Sequence, residues 1–370
     1  MDKKFVMGIA AMAALTLVSC SSDDLDSFSD NSSKNEAISF DGYLGRSAVA
    51  VNGTRGKEET VTNLHTDGFG VFGYQNSSAT HSATESFDAN LFNNQKVTYD
   101  NTNSKWTYSP LKFWPSDGHI DFLAYAPYGA GTFEDTYHLK FNVSETITDQ
   151  KDLLWTNATS KITADITKKK VNFQFHHALS RLGYTVRLTG DYSSSNVTFT
   201  LKKITLAGSA DETKKAFYKE GTIDLSKTPS SEGLWTNLSS DKQNFLNWFS
   251  GDKPLSNTET KNPDNEYLFV IPQNFSKDKT PGGSDVDELY VIVQYTIDYT
   301  DGTTPSVTNT VYKQIKKDFK QGKAYMLNLT LGLPIEFDVN VTGGIGAGID
   351  GWGTDDGINI GSNDTPWERK

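Results

Sequence analysis

The sequence predicts an all-β fold, two sandwich domains in tandem with mostly antiparallel strands, and three observations predict it. Apolar and polar residues alternate at period two in one segment after another. The chain is 12% aromatic and rich in Thr, Ser and Asn, a composition that suits strands separated by turns. Long helical periodicity is missing, and 370 residues are ample for two domains.

The chain opens with Lys3 and Lys4, then a mostly apolar run from Phe5 to Val18 that is short for a membrane span. A basic start, an apolar middle and a small residue before the cut describe a signal peptide, residues 1–19. The sole cysteine, Cys20, follows at once. It can form neither an intramolecular disulfide nor a zinc site by itself. Leu17-Val18-Ser19-Cys20 resembles the bacterial lipobox, which implies cleavage before Cys20 and acylation of that residue, palmitate included. Several acyl chains on one residue anchor firmly where one would not. Residues 20–36 are too polar to bury anything and read as an acidic tether. Losing Asp2, Lys3 and Lys4 takes the net charge from −11 to −12. Such acidity argues against nucleic acid, and Lys168–Lys170 and Lys316-Lys317 read as exposed strand ends.

Ile38, Phe40 and Leu44 alternate as a first strand, followed by a turn-rich linker that carries Arg46 and Arg55. In KFWPSDGHIDFLAYAPY, Pro115 ends a strand and Asp117-Gly118 turns the chain. Ile120, Phe122 and Ala124 start another strand, which Pro127 stops. Trp114, Phe122, Tyr125 and Tyr128 read as core and edge aromatics. Val171, Phe173 and Phe175 alternate, as do Tyr184, Val186 and Leu188. Around VTFTLKKITL the phase slips at Lys202-Lys203, as a β-bulge would make it. Helix candidates are few, 211–220 and 241–249. Residues 289–300 form a hairpin with the strand after Asp301-Gly302, odd positions buried. From Tyr325 every second residue is apolar: Leu327, Leu329, Leu331, Leu333, Ile335, Phe337, Val339 and Val341. Pro334 divides this run into two strands end to end.

Chemistry is harder to find. Gly346, Gly348 and Gly351 match G-x-G-x-x-G, but no helical pattern follows to face a pyrophosphate. Asp350, Asp355 and Asp356 lack the register of a calcium loop. His176 and His177 fall on opposite strand faces and cannot share a metal. Glu58-Glu59 lies in a polar segment, where nothing would raise a carboxyl pKa. The reading assigns no catalytic, cofactor or metal site, and no enzyme activity.

Seven phrases then line up: ISFDGYLGR (38–46), GFGVFGY (68–74), YSPLKFWP (108–115), IDFLAYAPY (120–128), KDLLWTNA (151–158), VNFQFHHALSRLGYTVRL (171–188) and YLFVIPQ (267–273). In this order, behind a lipobox, they resemble the fimbrillin-like proteins of Bacteroidales, the Mfa-like branch of the FimA pilin superfamily. The resemblance implies two transthyretin-like sandwiches, 37–166 and 167–342, with a Gly/Asp-rich tail, 343–370. It implies a fimbrial (pilus) subunit or surface lipoprotein of the outer membrane serving cell adhesion. Ser21-Ser22-Asp23-Asp24 resembles the surface-export stretches of such lipoproteins. The expected partners are other subunits, a maturation protease and a host or bacterial surface ligand. Family members are trimmed after an arginine just past the first strand, which frees a groove; Arg55 is the first choice and Arg46 the alternative. Residues 335–341 are either a donor strand presenting Ile335, Phe337, Val339 and Val341, or the last strand of their own domain. The long tail leaves tip and accessory roles open. A different class of function, glycan binding, would use Trp106, Trp235 and Trp248 as exposed platforms.

Overall fold

The structure, a computed structural model, describes residues 37–43, 59–82, 86–161, 170–227, 234–263, 266–278, 286–332, 338–343, 353–354 and 368–369. It is nearly all β, with antiparallel pairing predominant. One six-stranded sheet runs in the order His176–His177, Leu154–Lys161, His119–Ala126, Phe69–Asn76, Phe92–Asp100, Lys105–Thr107. Its His119–Ala126 strand is buried on both faces. Ile120, Phe122, Ala124 and Ala126 enter a smaller hydrophobic cluster, while Leu123 and Tyr125 enter a larger one. Period-two geometry is what lets a single strand serve two cores. The turn before it needs Gly118: φ is +79°, and a Cβ there would lie 1.9 Å from the Asn76 carbonyl oxygen.

The larger cluster fills a sandwich. On one side Ser180–Leu188 pairs in parallel with Lys323–Leu331 over eight residue pairs. On the other, Val197–Ala207 lies between Phe245–Leu255 and Tyr290–Tyr299. Their alternate residues, among them Tyr184, Val186, Leu201, Ile204, Val293, Tyr295, Leu327 and Leu329, pack together. Both pairings of Val197–Ala207 shift register between Leu201 and Lys203, where the sequence placed the bulge. Tyr290–Tyr299 and Val307–Gln314 form the expected hairpin. Its turn is held by Asp301, whose carboxylate accepts from the Thr303 and Thr304 N–H groups at 2.9 and 2.8 Å. Lys170–Gln174 falls beyond the expected domain boundary at residue 167, yet Val171, Phe173 and Phe175 join the smaller cluster, with residues of the preceding segment.

Several elements differ from expectation. Residues 241–249 hold two strands, Lys242–Gln243 and the start of Phe245–Leu255, and 211–220 holds turns and the short strand Phe217–Tyr218. Phe245 and Phe249 match a helical spacing, but cross-strand pairing with Leu206 and Ile204 prevails. The α-helix among the described residues is Val61–Asp67, opened by the Thr60 hydroxyl accepting from Asn63 N–H at 3.2 Å and closed by Gly68. Lys317 is buried, its ammonium 5.6 Å from the Tyr325 ring centroid, because the chain turns inward there to pair Asp318–Phe319 with Gln273–Asn274. Glu59 is buried too: its N–H donates to Asp152, a buried carboxylate that also meets His177. His177 is accordingly the core histidine of the pair and His176 the partly exposed one. Two pieces of the tail join sheets, Gly353–Thr354 beside Lys323–Leu331 and Glu368–Arg369 beside Val307–Gln314.

Candidate functional site

The first strand, Ser39–Tyr43, is wedged into the smaller cluster rather than laid over it. Alternation points Ile38 and Phe40 inward, where they are 1% and 2% exposed. Around the Phe40 ring stand Tyr108, Phe92, Phe173 and Phe122, with centroids 5.3, 5.4, 5.6 and 5.8 Å away. Burying these two side chains stabilises by roughly 3–6 kcal/mol. The strand is paired along one edge, and the two residues before it are tied to the chain on the other. Along one edge it runs parallel to Lys170–Gln174, from Ser39 opposite Lys170 to Tyr43 opposite Gln174. Along the other, Ile38 N–H donates to the Lys112 carbonyl at 2.8 Å, and Ala37 bridges Phe113. The Tyr108 hydroxyl donates to the Ile38 carbonyl at 2.7 Å, and burial raises its pKa. An exposed ion pair, Lys170 to Asp41 at 2.8 Å, adds little.

The arrangement is therefore a slot, with aromatic walls, that one short terminal strand fills. The contacts described between residues 37–43 and these walls are noncovalent, so the covalent hold on the strand is the chain on either side. Residues 44–58, with Leu44, Arg46 and Arg55, lie outside the described residues, and so does Cys20. The part of Tyr108 and Lys112 as a second edge was not read from the sequence. Their partner is Ile38, 70 residues from Tyr108, and the signal was confined to the polar-aromatic phrase YSPLK.

At the other end of the chain, Asp338–Gly343 lies antiparallel beside Lys323–Leu331, Val339 opposite Leu329 and Val341 opposite Leu327. The two halves of the long alternating run are thus side by side, not end to end. Pro334, Ile335 and Phe337 lie outside the described residues. The strand Lys323–Leu331 has its other edge on Ser180–Leu188.

The three tryptophans expected as exposed platforms are not exposed. Trp248 is buried, with its indole N–H donating to the Glu266 carbonyl at 3.1 Å, and Trp106 is buried against Phe69. Trp235 packs partly buried on the larger cluster and donates to the Ala178 carbonyl at 2.8 Å. Each sits among polar neighbours in sequence, but strand alternation turns the ring inward. The sequence assigned no metal ligands; the fold brings His81, His119 and Asp121 together. The glycine motif at 346–351 and Asp350, Asp355 and Asp356 lie outside the described residues.

The profile of the fimbrillin-like family matches residues 54–352. The chain is 27% identical over 358 residues to fimbrium subunit Fim1C of Phocaeicola vulgatus, an alignment covering 87% of this chain and 91% of that one. It is also similar in fold to the crystal structure of a fimbrial protein from Bacteroides vulgatus, with a TM-score of 0.63 at 21% identity, over 84% of this chain and 99% of that one.

Proposed function

Since the chain belongs to the fimbrillin-like family, we propose that it is a structural subunit of a surface fimbria, joined to its neighbours by strand exchange. The observation that carries this reading is the Ser39–Tyr43 strand, which follows the buried Ile38 and carries the buried Phe40 in an aromatic slot. In this reading a protease cuts after Arg55 or Arg46. The first strand is then held by noncovalent forces alone, and its departure opens a groove lined by Phe92, Tyr108, Phe122 and Phe173. The donor is the segment carrying Ile335, Phe337, Val339 and Val341, whose burial contributes very roughly 6–12 kcal/mol before ordering costs. Before assembly the subunit keeps part of that segment, Asp338–Gly343, on its own sheet edge, which shields an edge that would otherwise recruit other chains.

Acyl chains on Cys20 hold the precursor in the outer membrane until the cut frees the body for assembly. The role is structural and adhesive, with no reaction catalysed by the chain. Its partners are neighbouring subunits, the maturation protease and a surface ligand. The two sandwich domains expected on either side of residue 167 are the natural unit of such a joint, with Lys170–Gln174 serving the cluster that holds the first strand. Replacing Arg46 and Arg55 together should leave the first strand attached and abolish polymers, as read by N-terminal sequencing and electron microscopy. Normal polymers from the double variant would refute the scheme.

A further inference from the structure

One end of the six-stranded sheet gathers three metal-ligating side chains that no sequence motif announces. His119 and Asp121 are two residues apart on one strand and so share a face. His81 reaches them from the segment that follows the neighbouring strand, Phe69–Asn76. His81 Nδ1 lies 2.8 Å from Asp121 Oδ2, and His119 Nε2 lies 3.6 Å from the same oxygen. One donor atom from each residue lies within 4.8 Å of the other two.

We propose that His81, His119 and Asp121 bind a single divalent transition-metal ion, zinc in the first instance, with water at a fourth position.

Two imidazole nitrogens and a carboxylate oxygen are a donor set that suits zinc, with three protein ligands and an open corner. Zinc about 2.0–2.1 Å from each ligand, in tetrahedral geometry, sets the ligand atoms about 3.4 Å apart. The separations of 2.8 and 3.6 Å bracket that figure, and the His81 side chain, 45% exposed, can shift by the difference without moving the core. The tautomer is already set. His119 Nδ1 lies 2.6 Å from the Ser78 carbonyl oxygen, which can only accept, so Nδ1 carries a proton and Nε2 is the nitrogen that faces Asp121. A backbone carbonyl on the far nitrogen is how ligating imidazoles are oriented. Asp121 supplies the second observation. It is 8% exposed, and its Oδ1 is buried and receives no hydrogen bond from the described residues. A buried carboxylate whose Oδ2 meets both histidines and whose Oδ1 is unpartnered is satisfied by a cation or by a proton. The ion would fasten residues 77–82 to the end of the sheet, where Asn76 and His119 are paired. The competing occupant is a proton, with the histidines and Asp121 held as a hydrogen-bonded cluster.

The test uses the mature chain without a polyhistidine tag, stripped with chelator and titrated with zinc chloride by calorimetry. One equivalent should bind, the unfolding midpoint should rise with free zinc, and cobalt(II) in place of zinc should give the intense visible bands of a four-coordinate site. His81→Ala removes an exposed ligand and leaves the buried part of the cluster in place; it should weaken zinc at least about tenfold with an unchanged circular dichroism spectrum. Asp121→Asn should do the same. His138→Ala, at a separate exposed contact with Asp135, should change nothing. Failure to bind one equivalent, or equal affinity in wild type, His81→Ala and Asp121→Asn, would overturn the proposal in favour of the proton.

Discussion

Tyr184 lies wholly inside the larger cluster, its ring 5.1 Å from that of Trp248 and nearly perpendicular, and its hydroxyl has no hydrogen-bond partner among the described residues. A buried unsatisfied hydroxyl destabilises, so Tyr184→Phe should raise stability by about 1 kcal/mol in urea unfolding. A loss of that size would mean the hydroxyl has a partner after all. Burial raises the Tyr184 pKa far above its ordinary 10.0, and the charge of Glu266 adds to this. The folded state therefore favours the neutral phenol. That contribution is intact below pH 10.0 and is lost as the pH climbs toward the folded value. Wild type should lose stability in alkali with a component that Tyr184→Phe lacks. Asp152 works the other way, as a buried acceptor that is fully used. It takes the Glu59 N–H at 3.1 Å and approaches His177 Nδ1 at 2.9 Å, so it ties the backbone at residue 59 to the strand that carries His177. Asp152→Ala strands two buried donors and should cost about 2–5 kcal/mol, with faster protease cutting near residue 59 as the local readout. Glu59 could not be read as buried from its neighbours, because its backbone N–H is held by a carboxylate 93 residues away.

At the scale of the element, the Ser39–Tyr43 strand is held by the aromatic fit of Phe40 together with its ladder on Lys170–Gln174. Phe40→Ala should cost about 3–5 kcal/mol and, after cleavage of the linker, should speed release of the N-terminal strand several-fold. Mass spectrometry of the cleaved protein over time would follow that release; equal rates would place the hold in the backbone pairing instead. The strand itself was legible, since Ile38 and Phe40 alternate in plain view. Its neighbours were not. Parallel pairing with Lys170–Gln174 joins segments about 130 residues apart, and no local pattern states which strands meet. Hairpins stand at the opposite extreme: Tyr290–Tyr299, its turn and its partner are contiguous and were read whole. The turn adds a check of its own. Hydrogen bonds from the Thr304 hydroxyl and from the Thr304 and Thr303 N–H groups pull the Asp301 carboxyl down to about 2. Its stabilising effect is then present above the ordinary 3.8 and fades as the pH falls through about 2, which carbon-detected titration of Asp301 should show directly. Short helices hide for a different reason. Val61–Asp67 buries Leu64 alone, so a seven-residue helix leaves no period to detect, although Thr60 and Gly68 mark both its ends.

For the molecule as a whole, the question is whether the last described strand of the alternating run belongs to this subunit or to the next. Lys323–Leu331 is anchored without it, since eight residue pairs join that strand to Ser180–Leu188 and Tyr325, Leu327, Leu329 and Leu331 all face the larger cluster. Asp338–Gly343 adds six pairs at the outer edge. Removing everything after Pro334 also removes Gly353–Thr354 and Glu368–Arg369, each a two-residue addition to a sheet edge. The truncated chain should thus keep its fold, with a near-native circular dichroism spectrum and a cooperative unfolding transition. If the missing segment is the donor, that chain still owns a slot but has nothing to offer a neighbour. It should fail to polymerise alone after linker cleavage, and when mixed with full-length subunits it should accept a strand and end the chain. Polymer length by electron microscopy should then fall in proportion to the fraction of truncated protein added. A segment that merely closes its own sheet predicts otherwise: a truncated monomer that misfolds, or one that polymerises undiminished and shortens nothing. Either of those results would assign residues 335–341 to the subunit that carries them and leave the aromatic slot in need of another occupant.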